Sequence, residues 1–275
     1  MNGLGKGVVL ITGASAGMGK ATAELLLEKG YVVYAAARRI ENMKDLELKG
    51  AKILTMDVTD EQSMVYGVNR IIQEQGKIDI LFNNAGYGSY GSVEDVPLEE
   101  ARRQFEVNLF GLSRLTQLVI PHMRKQKSGK IINNSSMGGK VYTPLGAWYH
   151  ATKHALEGYS DCLRFEVAQF NIDVIVIEPG SIESEWNDIT LNNLQKTSAH
   201  TVYANMTKAF VEMSKKAPKP TSPKVIAEIV LKAIESKKPK TRYVAGQFAK
   251  PMMLLRKLVS DRMYDRILYK MFKMK

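Results

Sequence analysis

The chain lacks any apolar run approaching the roughly 18 residues a membrane-spanning helix needs, and no signal-peptide cleavage pattern precedes the strand-like run Val8 to Thr12. Neither a bilayer-spanning nor a secreted protein is expected. Cysteine is almost missing: Cys162 stands alone, so no internal disulfide can form and a reducing, cytoplasmic setting fits best. Its neighbours Tyr159, Leu163, Phe165 and Val167 suggest the buried face of a helix. Histidine is scarce, and His122, His150, His154 and His200 fall at no metal-ligand spacing, so no metal is expected. Acidic residues run short at one end only. Residues 237–275 hold twelve Lys and Arg against Asp261 and Asp265, a surplus of ten within a formal net charge of +11. The rest is nearly neutral, which removes the whole-protein argument for a nucleic-acid partner.

What the chain does have is alternation. With 275 residues, 45% apolar and 24% charged, one α/β unit can bury a full core, so a single domain over 1–275 is expected. Short β-branched runs at Val8 to Thr12, Val32 to Ala36, Lys52 to Met56, Ile78 to Phe82, Lys130 to Asn134 and Ile172 to Ile177, with another near Arg242 to Ala245, read as buried parallel strands. Helical patterns cover Met18 to Lys29, Glu61 to Gln75, Leu98 to Gln126, Tyr149 to Phe170 and Val225 to Ser236. The order predicts an α/β Rossmann fold, a doubly wound parallel sheet of about seven strands with helices on both faces. Such sheets bind ligands beyond the carboxyl ends of their strands, and Gly13, Arg38, Asp57, Asn83, Ser136 and Pro179 each follow a strand end. The alternation stops across 180–223, a segment with Trp186, Leu191, Tyr203, Met206 and Phe210 that reads as a partly helical substrate lid.

The segment Thr12-Gly13-Ala14-Ser15-Ala16-Gly17-Met18-Gly19 follows a strand and opens a helix, the context a phosphate-binding turn requires. Gly13 permits the tight turn, Gly17 the approach of backbone to a pyrophosphate, and Gly19 the packing of helix on sheet. After the second strand, where an NAD site would want a carboxylate for the ribose, stand Arg38 and Arg39. A guanidinium matches a phosphate in charge and donor geometry, so the 2′-phosphate of NADP is the natural partner of Arg38, with Arg39 and Ser15 beside it. The alternative is a solvated surface pair.

Tyr149 and Lys153 stand one helical turn apart on one face. A phenol titrating near 10 is a poor acid–base group at neutral pH, whereas an adjacent ammonium and a cationic nicotinamide would stabilise the phenolate and lower that value. Alone, this spacing is a weak pattern. Its weight comes from Asn133-Asn134-Ser135-Ser136 upstream, Asn83-Asn84-Ala85-Gly86 after the fourth strand, Asn108 in the long helical stretch and Pro179-Gly180 after the sixth strand.

In order and spacing, these motifs resemble those of the short-chain dehydrogenase/reductase family from about residue 7 to 185. The resemblance implies an NADP(H)-dependent oxidoreductase with a catalytic set of Asn108, Ser136, Tyr149 and Lys153. Tyr149 would exchange a proton with the substrate oxygen and Ser136 would hold that oxygen. Lys153 would also bind the nicotinamide ribose, and Asn108 would hold a water linking Lys153 to solvent, unless it is a packing or kink residue. Asp57 and Val58 match the pair that meets adenine, Asn84, Ala85 and Gly86 the turn beneath the cofactor, and Pro179, Gly180, Ile182 and Ser184 the nicotinamide segment, with Ser184 where the family often has threonine. The residues Tyr149 to Gly158 resemble the hydroxysteroid and retinol dehydrogenase-like branch. Relatives of this type are often dimers or tetramers pairing through their long helices, so a homo-oligomer is expected. The rival reading is a non-catalytic NADP-binding sensor or scaffold, for which the catalytic set would be eroded; here it is complete.

Residues expected near the reacting end are Tyr87, Met137, Tyr142, Leu145 and Trp148, with the five lid residues above, which favours an apolar carbonyl or alcohol substrate unless the set only packs the core. Residues 251–275 read as a basic amphipathic helix. It either closes the pocket, the preferred reading for an apolar stripe at helical spacing, or makes weak peripheral contact with an anionic membrane surface.

Overall fold

The computed structural model describes residues 6–272. Seven strands form one sheet in the order β3-β2-β1-β4-β5-β6-β7. They are β1 (Val8–Thr12), β2 (Val32–Ala37), β3 (Lys52–Thr55), β4 (Ile80–Asn83), β5 (Gly129–Asn134), β6 (Ile172–Pro179) and β7 (Arg242–Ala245), and every pairing is parallel. Because side chains alternate along a strand, each apolar run feeds two cores. Val9, Ile11, Val33, Ala35 and Ile175 meet Leu26 of α1 (Gly17–Glu28) and Ile226 and Val230 of α9 (Pro223–Glu235). Val8, Leu10, Leu81, Ile131 and Val174 meet Val68 of α3 (Glu61–Gln75), Leu115 of α5 (Leu112–Gln126) and Leu163 of α6 (Ala147–Val167). This is the doubly wound, single-domain Rossmann arrangement.

Local chemistry sets the helix ends. The Asp60 side chain accepts from the Gln62 amide to open α3, and Gly76, at φ 72, closes it. Ser222 accepts from the Lys224 amide to open α9, with Pro223 in the first turn. A short α2 (Lys44–Leu48) leads into β3.

The structure departs from the sequence reading in three places. The stretch Leu98–Gln126 is not one regular helix: α4 (Leu98–Phe105) passes through a π-helical turn at Glu106–Gly111 into α5. A Cβ on Gly111 would lie 2.1 Å from the Val58 carbonyl oxygen, so only glycine lets the widened turn rest against that loop. Cys162 is exposed rather than buried. The buried stripe of α6 runs through Leu156, Ser160, Leu163 and Val167, and Cys162 lies off it with Phe165, which is 88% exposed. The tail forms two helices, α10 (Ala249–Leu258) and α11 (Asp261–Met271), broken at Val259 and Ser260; Lys273 to Lys275 lie outside the described residues. The segment 180–223 carries α7 (Trp186–Ser198) and α8 (Ala204–Lys216).

Candidate active site

Parallel strands deliver their ends to one edge, and the sequence-selected residues meet there. Gly13, at φ 65, turns the chain out of β1, and a Cβ on it would lie 2.9 Å from the Ala85 backbone. The Asn84 side chain stitches the neighbouring loop beneath this turn, donating to the Thr12 carbonyl at 3.0 Å and accepting from Asn134 Nδ2 at 3.0 Å. Helix α1 opens at Gly17 with no side-chain cap and no acidic residue in its first turn. Its first amides, beside Met18 and Gly19, are therefore free for an anion. Ser184 closes over this turn: a Cβ on Gly17 would meet its Cβ at 3.2 Å.

Two cations flank the same turn. Arg39 Nη2 reaches Ser15 Oγ at 3.4 Å and Glu185 Oε2 at 2.8 Å. Arg38 has only a 3.8 Å approach to Asp57 Oδ2, and its side chain is 64% exposed. Asp57 is otherwise engaged with Thr59, accepting from its amide and hydroxyl. An uncapped helix start with a serine and two guanidinium groups beside it fits a phosphorylated dinucleotide. Across the sheet, Pro179 ends β6, and a Cβ on Gly180 would lie 2.0 Å from the Gln247 carbonyl oxygen, so that segment lies flat on the chain after β7. Ile182 is buried in the core.

Tyr149 and Lys153 stand in the first two turns of α6, both buried. The Lys153 ammonium donates to the Asn134 carbonyl at 2.8 Å and lies 6.0 Å from the Tyr149 ring centroid. Burial pushes the ammonium down to about 8, partly opposed by Glu157. Burial also pushes the Tyr149 phenol up, to about 12, while its hydrogen bond with Ser136 works the other way. The expected lowering by Lys153 is thus not produced by the polypeptide alone, because the ammonium is turned to a carbonyl one strand away. Of the two serines, Ser136 is the one whose hydroxyl works against the rise of the phenol, and it caps a short turn by accepting from the Gly138 amide at 3.0 Å. The Ser135 hydroxyl is buried behind it without a partner.

The π-helical turn aims Asn108 inward. Its Nδ2 donates to the Tyr87 carbonyl at 2.9 Å and to Thr152 Oγ1 at 3.1 Å, and its Oδ1 accepts from the Tyr87 amide at 3.0 Å. Gly86 separates this amide from the lysine: a Cβ there would lie 3.1 Å from Asn108 Oδ1 and 3.8 Å from Lys153 Nζ.

An apolar wall stands over the phenol. Trp186 lies 5.2 Å and Tyr90 5.9 Å from the Tyr149 ring, with Leu145, Leu191, Met206 and Phe210 in the same cluster. Four aromatics expected here point elsewhere. Tyr203 donates from the surface to Glu94, Trp148 lines an outer groove with Phe105 and Phe110, and Tyr87 reaches out to Glu100. Tyr142 and Met137 pack under the tail helices instead.

Sequence reasoning missed Tyr90, His150 and a buried charge cluster. His150 Nδ1 faces the Gly138 carbonyl at 3.0 Å and Nε2 faces the Thr143 amide at 3.0 Å. A carbonyl accepts and an amide donates, so the ring is neutral and protonated at Nδ1, clamping the loop that carries Ser136. Burial lowers its pKa to about 4. One turn beyond Lys153, Glu157 is buried against Lys140 at 3.0 Å and Arg242 at 3.0 Å, and Arg242 also meets Asp161 at 2.8 Å and Glu178 at 3.5 Å. Burial, then the Glu157 charge, pushes Glu178 up to about 7. The signal for this cluster was a glutamate inside the apolar β6 run.

A sequence profile of the short chain dehydrogenases matches residues 7–195. The chain is 36% identical over 241 residues to a 3-ketodihydrosphingosine reductase of Bacteroides thetaiotaomicron, covering 87% of each protein. It is 34% identical over 273 residues to an NADPH-dependent 3-dehydrocapnine reductase of Ornithobacterium rhinotracheale, covering 95% of each. The crystal structure of a short-chain dehydrogenase from Streptomyces avermitilis matches 95% of both chains with a TM-score of 0.77 and 30% identity.

Proposed function

The chain belongs to the short-chain dehydrogenase family, an oxidoreductase type acting on alcohol and carbonyl groups, and from that premise we propose that it reduces an apolar ketone or aldehyde with NADPH, or oxidises the alcohol with NADP. The observation that carries this reading is the meeting of Tyr149, Ser136 and Lys153 at the strand ends, with Arg38 and Arg39 beside the phosphate turn.

Gly13, Ser15, Gly17, Met18 and Gly19 would hold the pyrophosphate, and Arg38 and Arg39 the 2′-phosphate. Asp57 and Val58 would meet adenine, Asn84 to Gly86 would floor the site, and Pro179, Gly180, Ile182 and Ser184 would line the nicotinamide. When bound, the cofactor supplies the hydride. The polypeptide does the rest. Ser136 and Tyr149 hold the substrate oxygen between two hydroxyls, and Tyr149 donates its proton as charge develops there. Lys153, held near 8 by burial, is a better proton donor than an exposed lysine and returns a proton to the phenolate. A phenolate and an ammonium buried together offset each other's desolvation, which reconciles a phenol near 12 with work at neutral pH. Asn108 Oδ1, beside Lys153 across Gly86, bounds the space for a relaying water.

The wall of Trp186, Leu191, Met206 and Phe210 supports a substrate with an apolar chain, covered by residues 180–223 acting as a lid. The two named ketone reductases support the same class. Exposed Phe110 and Phe165, at 54% and 88%, support a homo-oligomer pairing through the long helices. The lone exposed thiol supports a reducing compartment such as the cytoplasm.

The deciding experiment is Tyr149→Phe, assayed by NADPH absorbance on ketones of graded chain length. Turnover should fall by at least about 10³-fold, in the upper range for a lost acid–base group, while NADPH still quenches tryptophan fluorescence. Turnover retained without the hydroxyl would remove Tyr149 from the chemistry.

A further inference from the structure

The carboxyl-terminal helices are two-faced. Inward, Met252, Met253 and Leu255 of α10 and Tyr264 and Leu268 of α11 join the apolar cluster that contains Met206 and Phe210 of α8. Their setting is fixed by polar contacts: Tyr264 donates to the Tyr142 carbonyl at 3.2 Å, Tyr142 donates to Asp265 at 2.7 Å, and the Arg256 guanidinium lies 5.6 Å and 5.4 Å from the centres of the Tyr142 and Tyr264 rings. These contacts fix which faces look outward.

Outward, α10 exposes Lys250, Pro251, Leu254, Lys257 and Leu258, a spacing that gathers all five on one side of a helix. Helix α11 repeats that spacing with Arg262, Met263, Arg266, Tyr269 and Lys270, all exposed. Leu258 is 73% exposed, Leu254 58%, Met263 54% and Tyr269 52%, an unusual density of bare apolar groups among cations. Neither stripe holds a carboxylate. The tail's two acidic residues are committed elsewhere, Asp261 to Arg256 and Asp265 to Tyr142.

We propose that this double stripe is a peripheral binding surface for an anionic lipid membrane. Leu254, Leu258, Met263 and Tyr269 enter the headgroup boundary while the lysines and arginines meet lipid phosphates. Charge selects this occupant. A second copy would bring cations against cations, and a nucleic acid would leave the leucines without an apolar partner. Among the described residues no helix is long and apolar enough to cross a membrane, so the attachment is to the surface. The inner faces of the same helices rest on α8, which brings the wall above Tyr149 close to the lipid.

The test is co-sedimentation of the full chain with phosphatidylcholine vesicles, with and without a phosphatidylserine fraction. Binding should require the anionic lipid and weaken with salt. Lys257→Gln and Arg266→Gln should each weaken partitioning about fivefold, and Leu254→Ser with Leu258→Ser should weaken it further. These four side chains are solvent-facing, so unchanged thermal melting will show that the fold survives. Equal binding to neutral vesicles, no binding to either, or wild-type binding by the quadruple variant would overturn the proposal. So would self-association, or oligonucleotide binding without vesicle binding, lost in the same variants.

Discussion

Replacing Arg38 tests the assignment of the phosphorylated cofactor most directly. Its guanidinium has only the 3.8 Å contact with Asp57 to give up, whereas Arg39 is held at 2.8 Å by Glu185 and must exchange that partner for a phosphate. A charge-assisted hydrogen bond contributes about 1.5–3 kcal/mol, and the exposure of Arg38 argues for the lower half of that range. Arg38→Ala should then weaken NADPH binding about 10- to 30-fold, while Arg39→Ala, whose gain is offset by the lost Glu185 bond, should weaken it only about two- to fivefold. Glu185→Gln releases Arg39 and removes a like charge from the phosphate, so it should tighten NADPH slightly. Titrations of both dinucleotides by intrinsic fluorescence would measure all three variants. NADH, lacking the 2′-phosphate, should be nearly indifferent to each. If the wild-type protein binds NADH as tightly as NADPH, or if Arg38→Ala weakens both equally, the arginine pair is a surface feature and the argument fails.

Two further outcomes concern stability. His150 is buried neutral with its pKa depressed to about 4, so its contribution is present above the unfolded value near 6.5 and is lost as pH falls through that window; melting followed from pH 7 to 4 should show up to about 3 kcal/mol lost, with a shallower slope in His150→Gln, and an identical slope would clear the histidine. Glu178 has the opposite sign: its pKa is raised to about 7, so stability falls as pH rises from the ordinary carboxylate range through 7. Arg242→Met strands Glu157 and Glu178 without their guanidinium and should cost about 3–5 kcal/mol at pH 8, and clearly less at pH 5 where Glu178 is protonated; a deficit independent of pH would disprove the coupling.

The strands were legible because their β-branched runs are short and separated by helical spacing: β1 and β7 fall where they were expected, and the other five needed only a residue or two of adjustment at their ends. The cofactor turn and the Tyr149 group were legible because chemistry demands particular side chains at fixed intervals. The π-helical turn was not, since one extra backbone residue leaves no periodic trace between Phe105 and Leu112. Cys162 misled because α6 is apolar on its outer side too, while its buried stripe includes Ser160, drawn in by a 2.9 Å hydrogen bond from Asn133. Tyr203 misled because residue type alone does not say that Glu94 will hold an aromatic hydroxyl at the surface. Tyr90 sits in an aperiodic glycine-rich loop whose path only the tertiary packing against Trp186 and Phe210 decides.

The widened turn at Glu106–Gly111 also bears on how the chain can be shortened. Excising one residue there would let the flanking helices fuse into a single regular rod with their mutual register kept, because the widened turn spreads its extra residue over the same rotation, and only the side chains of the turn itself would be re-aimed. Asn108 would swing off the Tyr87 backbone while α4 kept its seat. Residue count at this point is therefore as constrained as residue identity, and a deletion would do what no conservative substitution does: leave every side chain chemically intact and aim Asn108 in the wrong direction.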